Sequence, residues 1–550
     1  MLRTAPIETV VVNGRLYTME SPGDHVEALA IAGGRIVAMG DSAEILALAP
    51  GAQVIDAGGR AGLPGLIDSH CHPDMVGARL GRWHDFGDDR ATTREALLET
   101  VRRACAGKPD GHWFIGSNFD DLRHGGYPTR AELDAAAGGR PVFIYRRCAL
   151  IGMANSAALA AVCFTGDVPD PPAGRIERDA DGVPTGLLHA RAAHIVIEHI
   201  QADYTKEDFR RGLGKVFEGY LAHGITSVHN SLTQTQAIRA YQDMRDAGEL
   251  HLRVGILVTG RDLELTAAML RSGLRSGFGD EWVRLIGVEW VCDGSTSGRS
   301  AAYFEPYAGT PLPGERPDNR GVLLMDPEQH KARVRAALDA GMIVCTDAMG
   351  DRGIAEVIRV YEAVLAEAPR PDHRLRIEHC CAVTPDNLAG LKRNGIIASS
   401  ASGFAWDLGD AHIAARGAGA MRDFWPHRAL IDAGVVAPIH SDHPVCQSNP
   451  FLGMSALVNR RTSSGASLDA AMAISVHEAV EAYTVHGAHA GREENLKGRL
   501  RPGMLGDLCL LDRDPFEEPP ETLHETGVDM TIVGGTVRWT RMGREAAAAG

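Results

Sequence analysis

Short β-branched runs alternate with longer helix-like segments through the middle of this chain. Each run leads into polar residues, and the runs cover residues 65–68, 225–229, 283–289, 342–346, 375–378, 396–399 and 435–439. Segments with helical spacing lie between them, for example residues 328–340 and 354–365. Parallel strands joined by crossover helices produce this order. Seven or eight such units over about 250 residues predict an α/β fold of the TIM (β/α)8 barrel type.

The two ends of the chain carry a different pattern, made of short strands and tight turns. Gly33-Gly34 separates two β-rich runs at residues 28–31 and 35–39. Gly534-Gly535 separates two similar runs close to the C-terminus. A pair of glycines between two β-rich runs indicates a hairpin. We therefore predict one small β-sandwich domain formed by both chain ends, with the barrel inserted between them.

These patterns give a set of predicted domain boundaries. Residues 1–62 and 496–543 form the two parts of the sandwich, and residues 63–495 form the barrel domain. Residues at about 80–215 fit the alternation poorly, and the Pro, Gly and Asp content of residues 166–184 indicates the loops of an insertion. The Ala-rich tail, residues 544–550, is predicted to be disordered.

Composition and charge restrict the classes of partner and the compartment. A formal net charge of −15 argues against a nucleic-acid-binding surface. The ten cysteines contain no C-x-x-C pair and have mostly apolar neighbours, which favours reduced, packed thiols. No apolar run approaches the ~18 residues of a membrane span, and the N-terminus lacks a secretion signal. We therefore expect a soluble cytoplasmic protein that acts on a small molecule and binds neither nucleic acid nor membrane.

Two histidines one residue apart follow the first apolar run of the barrel segment. Side chains at positions i and i+2 of a strand point to the same face, so His70 and His72 project together while Cys71 faces away. Two neutral imidazoles side by side provide half of a Zn²⁺-type site.

Four later runs also lead into residues that can bind a metal, namely Glu289, Asp347, His379 and Asp442. Each has an ordinary alternative explanation. Glu289 could form a salt bridge, Asp347 could cap a helix, His379 could be a packed histidine, and Asp442 could form a turn. The catalytic groups of a barrel meet at the carboxyl ends of its strands, so five such ends in barrel order favour one shared site. Strand alternation predicts that Glu378, next to His379, points away from it.

Several motifs along the chain match those of one known family in order. They are PGLIDSHCHP at 64–73, PTRAELDAA at 128–136, NSAAL at 155–159, GITSVHN at 224–230, DGSTSGRSA at 293–301, RIEHC at 376–380, DAGVVAPIHSDHPV at 432–445 and LKGRLRPGMLGDLCLLDRDPF at 496–516. Together they resemble the amidohydrolase superfamily, specifically the amidohydrolase-3, or YtcJ-like, group of metal-dependent hydrolases. The resemblance covers nearly the whole chain and implies a distorted (β/α)8 barrel that holds metal at its strand ends.

The resemblance also implies a set of metal ligands. His70, His72, His379 and Asp442 match ligand positions of the family. Glu289 stands where relatives commonly have a lysine that can be carbamylated to bridge two metals, and its carboxylate can take the same place. Asp347 replaces a ligand histidine with an oxygen donor. The expected cofactor is therefore one or two divalent ions, Zn²⁺ in the simplest case, with Mn²⁺ or Fe²⁺ as alternatives.

These ligands lead to an expected chemistry. His70, His72 and Asp442 would hold one ion, and Glu289 would bridge it to a second ion held by His379 and Asp347. Metal-activated hydroxide would attack the substrate carbon, with Asp442 as general base and then general acid. The predicted function is hydrolysis of a non-peptide C–N bond in an amide, formamide or cyclic amide. A deaminase of an aminated heterocycle, or a non-catalytic scaffold derived from a hydrolase, remains an alternative.

Four further side chains are candidates for binding substrate near the predicted mouth of the barrel. His229, His440 and His443 could contact the substrate or a developing oxyanion, although each could equally be structural or solvated. Arg299 could bind a substrate carboxylate, and a surface salt bridge is its ordinary alternative. The family resemblance also suggests a homodimer or a larger homo-oligomer.

Overall fold

The computed structural model describes residues 6–80, 82–87, 92–121, 123–147, 150–171, 174–311 and 315–541. The tail that was predicted to be disordered, residues 544–550, lies outside these ranges. In the described residues the strands are β1 (Thr9–Val12), β2 (Arg15–Tyr17), β3 (His25–Val26), β4 (Ala28–Ala32), β5 (Arg35–Gly40), β6 (Gln53–Asp56), β7 (Ala61–Pro64), β8 (Leu66–Cys71), β9 (His84–Asp85), β10 (Phe114–Phe119), β11 (Val142–Arg146), β12 (Ile151–Ala154), β13 (Gly174–Arg178), β14 (Pro184–Ala190), β15 (Ile225–Thr233), β16 (Arg253–Thr259), β17 (Val283–Val291), β18 (Ile343–Ala348), β19 (Arg376–His379), β20 (Ile397–Ala398), β21 (Leu508–Leu511), β22 (Val528–Val533) and β23 (Thr536–Thr540).

The α-helices of the same residues are α1 (Ser42–Leu48), α2 (Pro73–Leu80), α3 (Arg94–Cys105), α4 (Arg130–Ala137), α5 (Ser156–Ala161), α6 (Arg191–Gln201), α7 (Lys206–Leu221), α8 (Thr235–Asp246), α9 (Leu263–Arg271), α10 (Pro327–Asp339), α11 (Asp351–Glu367), α12 (Pro385–Asn394), α13 (Ser402–Asp407), α14 (Gly409–Arg416), α15 (His427–Ala433), α16 (Pro450–Asn459), α17 (Val476–Tyr483) and α18 (Val485–Ala490). Short 3-10 helices span Ala418–Arg422, Ala470–Met472 and Pro520–Glu525. Among the described residues, none of the helices combines the length and the apolar character needed to cross a membrane.

Seven strands form one parallel sheet in the order β20-β19-β18-β17-β16-β15-β8, which we call the barrel sheet. Six of the predicted apolar runs, from residues 65–68 to residues 396–399, lie on its strands. The prediction missed β16, where Gly255 interrupts the β-branched pattern although all seven residues are buried. Strands buried on both faces are typical of parallel sheets. The chain is therefore a mixed α/β protein with a curled, barrel-like parallel sheet.

The last predicted barrel strand, residues 435–439, is not a regular strand, but its backbone is paired on two sides. Ala398 N–H donates to the Val436 carbonyl at 3.0 Å, and Ser400 N–H donates to the Pro438 carbonyl at 2.8 Å. A few residues later, Asp442 N–H donates to the carbonyl of His70 at 3.1 Å. Proline lacks the N–H that a strand ladder needs, which explains the irregularity. The segment 436–443 therefore links the first and last strands of the barrel sheet.

Local sequence signals place the crossover helices that follow these strands. Helix α10 begins after Asp326, whose side chain accepts the Gln329 N–H, and a proline occupies its first turn. Helix α12 begins after Thr384 in the same way and ends at Gly395, which is left-handed with φ 63°. Such caps satisfy backbone groups that a helix leaves unpaired at its ends. They fix where each helix begins and therefore how long the preceding loop at the strand end is.

The chain ends form two further sheets, of which the first comes from the N-terminal end alone and the second combines strands of both ends. One sheet has the order β5-β4-β1-β6, and the other has the order β23-β22-β21-β7-β2-β3. Strand β21 pairs with β7 in antiparallel register, so Leu508 lies opposite Pro64. Both diglycine hairpins are confirmed, between β4 and β5 and between β22 and β23, with all four glycines at positive φ. One buried cluster contains residues of both sheets, among them Val11 and Leu508. Their arrangement as a β-sandwich stays a prediction.

The chain divides into two compact units. One contains the residues up to 74 and those from 214 onward, and the other contains residues 75–213. The second unit has its own sheet, in the order β13-β14-β12-β11-β10-β9, and its own buried cluster around Phe86 and Leu133. The exact domain boundaries given above stay predictions. All candidate site residues belong to the first unit.

Candidate metal centre

The two histidines at the end of β8 face the carboxylate of Asp442, which lies in the segment 436–443. The Oδ1 atom of Asp442 lies 3.4 Å from His70 Nε2 and 3.1 Å from His72 Nε2. His72 Nδ1 lies 3.2 Å from the carbonyl oxygen of Ser231. A carbonyl can only accept, so Nδ1 carries a hydrogen, and Nε2 is the nitrogen that faces Asp442 and can bind a cation. The structure thus brings His70 and His72 together as the i, i+2 spacing predicts, and it places Asp442 beside them.

The backbone at Asp442 aims its side chain at the histidines. Asp442 is left-handed, with φ 55°. Asp68 holds the preceding residue by accepting both the Ser441 N–H at 3.1 Å and the Ser441 hydroxyl at 2.5 Å. Asp442 does begin a backbone turn, since Val445 N–H donates to its carbonyl at 2.8 Å, but its carboxylate contacts His72 and takes no part in that turn. Strained backbone of this kind costs about 1–3 kcal/mol and is concentrated at functional sites.

A third histidine reaches the same place from β19. The ring of His379 lies 4.7 Å from the ring of His70 and stacks on Phe404 at 5.5 Å. Its Nε2 atom lies 3.8 Å from Asp347 Oδ2 at the end of β18. His379 is also left-handed, with φ 64°. Two of the predicted ligands therefore sit on strained backbone, both at strand ends.

Glu289 and Asp347 also lie beside these histidines, and their ordinary alternatives do not hold. We call the group of His70, His72, Glu289, Asp347, His379 and Asp442, with the side chains that contact it, the cluster. Helix α11 begins after Gly350 without a side-chain cap, so Asp347 does not cap it. Glu289 Oε2 accepts the Ser231 hydroxyl at 2.6 Å and the Leu232 N–H at 3.1 Å. Glu289 Oε1 lies 3.5 Å from His70 Nδ1. Neither carboxylate pairs with a Lys or Arg in the described part of the chain.

The donor atoms fit a divalent metal. Three sets of three side chains place their ligand atoms within 4.8 Å of one another, and all contain His70; the partners are His72 with Asp442, Asp347 with His379, and Glu378 with His440. Six buried atoms of the cluster make no hydrogen bond: His70 Nε2, Glu289 Oε1, Asp347 Oδ1, His379 Nδ1 and both ring nitrogens of His440. An unpaired buried polar atom costs about 1–3 kcal/mol, which a bound cation would remove.

The charges of the buried side chains also favour a bound cation. Glu289, Asp347 and Asp442 are buried and have no ion pair with Lys or Arg in the described residues. Burial and the neighbouring charge of Glu289 raise the pKa of Asp347 well above its usual range. Burial lowers the pKa of His379 to about 4, so its imidazole is neutral at neutral pH. Neutral imidazoles and carboxylates are the ligands that Zn²⁺, Mn²⁺ and Fe²⁺ accept.

The predicted orientation of Glu378 is wrong. Its Oε2 atom lies 3.2 Å from His70 Nδ1, and Arg376 Nε donates to its Oε1 at 2.7 Å. Alternation does place Arg376 and Glu378 on one inward face, but the left-handed backbone at His379 turns the next side chain inward as well. Sequence reasoning assigned no role to Arg376 and pointed Glu378 away from the site. The signal was present, because two opposite charges two positions apart in an apolar strand have to be paired when buried.

The four predicted substrate-binding residues have different positions. His440 lies inside the cluster, fully buried, with its ring 4.8 Å from that of His70. His443 is partly buried and its Nδ1 forms a hydrogen bond of 3.0 Å with the Tyr220 hydroxyl. The structure therefore brings these two histidines to the strand ends, where binding of substrate stays a prediction.

The structure does not bring His229 or Arg299 into the cluster. Strand β15 continues four residues beyond His229, so this histidine lies inside the sheet and contacts Arg376 at 3.3 Å and Glu493 at 3.6 Å. Arg299 donates to Glu315 at 2.7 Å and to the Ala308 carbonyl at 2.8 Å. Its guanidinium is therefore engaged in holding its own loop, as in the salt-bridge alternative.

Comparisons with known proteins find relatives along nearly the whole chain. A family model described as "Amidohydrolase family" matches residues 53–538. The chain is 29% identical to the N-substituted formamide deformylase of Arthrobacter pascens, over 98% of this chain and 99% of that protein. It is 26% identical to the putative amidohydrolase YtcJ of Bacillus subtilis strain 168, over 95% of this chain and 98% of that protein.

A solved structure is also similar over nearly the whole chain. It is an uncharacterized metal-dependent hydrolase from Pyrococcus horikoshii OT3, with a TM-score of 0.76 and 26% sequence identity. The match covers 93% of this chain and 99% of that one. The similarity in structure therefore extends over most of the chain.

Proposed function

Because this chain belongs to the amidohydrolase family, and is a hydrolase of carbon–nitrogen bonds, we propose that it cleaves a non-peptide amide bond in a small molecule. The proposed substrate class is an N-substituted formamide, or else another open-chain or cyclic amide. Similarity to a formamide deformylase along 98% of the chain supports this class. The observation that carries the proposal is the meeting of His70, His72 and His379 with three buried carboxylates that have no Lys or Arg partner among the described residues, namely Glu289, Asp347 and Asp442.

The same residues define the proposed cofactor site. We propose that His70, His72 and Asp442 hold one divalent ion, with Zn²⁺ as the simplest choice. His379 and Asp347 would hold a second ion, and Glu289 would lie between the two. The ligand-atom sets and the unpaired buried atoms described above support this division. When bound, such ions polarise a carbonyl oxygen and make water nucleophilic near neutral pH.

The exposed edge of the cluster indicates where substrate approaches. The side chains of His72, Asp347, His379 and Asp442 are 7–11% exposed, whereas those of His70, Glu289 and Glu378 are at 0%. Substrate would therefore meet the cluster on the side formed by these four side chains, which includes Asp442. The carboxylate of Asp442 would take a proton from the attacking water and then give that proton to the leaving nitrogen. His70 and Glu289, whose side chains are fully buried, would only hold and orient the metal ions.

The finer architecture is part of the proposal. We propose that the segment 436–443 completes a distorted (β/α)8 barrel as its eighth strand, since it hydrogen-bonds to both edges of the barrel sheet. We also propose that the two terminal sheets form a β-sandwich around the cluster they share. The cytoplasmic location and the homo-oligomeric state stay predictions.

A substrate panel tests the proposed function. Protein reconstituted with Zn²⁺ should release formate and a primary amine in equal amounts from N-substituted formamides. It should act more slowly on the matching acetamides, and a chelator should abolish the reaction. The measurement is formate and amine release by liquid chromatography, with ammonia detected in parallel. Ammonia release from aminated heterocycles, with no cleavage of any amide, would contradict the proposal and favour a deaminase.

A further inference from the structure

We propose that Glu378 is a positioning residue for the metal ligand His70, and that Arg376 holds Glu378 in that position. The inference deepens the proposed function, since it rests on His70 being a ligand. It concerns two residues that do not belong to the proposed ligand set. Both would act through His70 rather than on the substrate.

The contacts of Glu378 fix which nitrogen of His70 faces the cluster. Glu378 Oε2 lies 3.2 Å from His70 Nδ1, and all atoms of both side chains are buried. A carboxylate accepts, so Nδ1 carries a hydrogen, and Nε2, which lies 3.4 Å from Asp442, is the nitrogen left to offer a lone pair to a cation. A metal-binding histidine is commonly oriented in this way by a carboxylate on its other nitrogen. Glu289 also faces Nδ1, but at the longer distance of 3.5 Å.

Glu378 itself is poorly placed to bind an ion, because both of its oxygens are already engaged. Arg376 Nε donates to Oε1 at 2.7 Å, and Arg376 Nη2 donates to Oε2 at 3.0 Å. This two-point pairing neutralises the carboxylate and sets the plane in which it lies. A ligand carboxylate would instead face the cation with an unpaired oxygen, as Glu289 and Asp347 do.

Arg376 is fixed in turn by groups on three sides. Its Nη2 donates to the Ser69 carbonyl at 2.9 Å, and its Nη1 lies 3.3 Å from both His229 Nδ1 and the Ala490 carbonyl. Beyond His229, Glu493 pairs with Lys497 at 2.9 Å. The chain of contacts therefore joins His70 to buried groups on β15 and after α18. This explains why His229 is buried away from the site: it supports Arg376.

The test is the zinc affinity of the Glu378→Gln variant, measured by competition with a chromophoric chelator. Glutamine keeps the shape but lacks the charge that pairs with Arg376, so His70 loses its fixed orientation. Loss of such an orienting group typically weakens metal binding by about 10- to 100-fold. We expect that loss here, with an unchanged number of zinc ions per chain at saturating zinc. Glu378→Asp, which keeps the charge, should lose less affinity and provides a second variant if glutamine prevents folding.

Glu493→Gln is the matched control, because it removes a buried carboxylate at the far end of the same network without touching His70. Its zinc affinity should stay within about twofold of the wild-type value. The inference is overturned if Glu378→Gln also stays within twofold, or if it loses a zinc ion at saturation, which would make Glu378 a ligand. Wild-type protein that binds no divalent ion would instead overturn the proposed metal site itself.

Discussion

Replacing Asp442 with asparagine is expected to lower kcat by at least about 10³-fold. Asparagine keeps an oxygen near His70 and His72, but it cannot take up a proton at that position. Proton transfer by a positioned side chain contributes about 10²- to 10⁴-fold to catalysis. The loss of a negative ligand that lies 3.1 Å from His72 adds to this effect. The measurement is kcat at saturating zinc on the best substrate of the formamide panel.

Asp293→Asn is the matched control for this variant. Asp293 is buried to a similar degree, but its oxygens accept only backbone N–H groups, from Ala302, Met349 and Gly350, each at 2.9 Å. Its replacement should lower the melting temperature while kcat stays within about tenfold, because no reacting group is removed. An Asp442→Asn enzyme that keeps more than a tenth of the wild-type kcat would show that Asp442 moves no proton.

Replacing Glu289 with glutamine is expected to lower the zinc content from two ions per chain to one and to reduce kcat by at least about 100-fold. Two cations held by one cluster would need negative charge near both, and a neutral amide would supply none. Glu289 Oε1 is buried without a hydrogen bond, as a bridging oxygen would be before it binds. The measurement is zinc per chain by mass spectrometry after gel filtration, together with kcat.

Two further variants test which ion is lost and whether the loss is specific to this side of the cluster. Asp347→Ala should lose the same ion, since Asp347 is placed with His379 on that side of the cluster. Glu493→Gln should keep both ions, although it removes a glutamate of similar burial. If Glu289→Gln keeps its metal content and its turnover, the bridging role of Glu289 is wrong.

The strand ends that form the site could be predicted because simple periodicities control them. Short β-branched runs marked six of the barrel strands, and the i, i+2 spacing placed His70 and His72 on one face. Positions next to these runs also gave Glu289, Asp347, His379 and Asp442. Each of these predictions depends on local geometry, which a single sequence expresses directly.

The remaining positions depended on features that local pattern does not express. Alternation failed at Glu378 because the backbone turns left-handed at His379, so two adjacent side chains face inward. His229 was expected at the mouth because β15 was predicted to end there, whereas the strand runs on to Thr233. Arg299 finds its partner Glu315 sixteen positions later in an irregular loop. Long-range partners of this kind follow from tertiary packing rather than from spacing.

The central claim is that these side chains hold divalent metal and that hydrolysis depends on it, and metal removal tests it most directly. Purified protein would be stripped with a chelator, analysed for metals and assayed on an N-substituted formamide before and after zinc is restored. The account predicts two ions per chain, loss of activity on stripping and recovery with zinc. Full activity in a preparation that holds less than about a tenth of an ion per chain would contradict it.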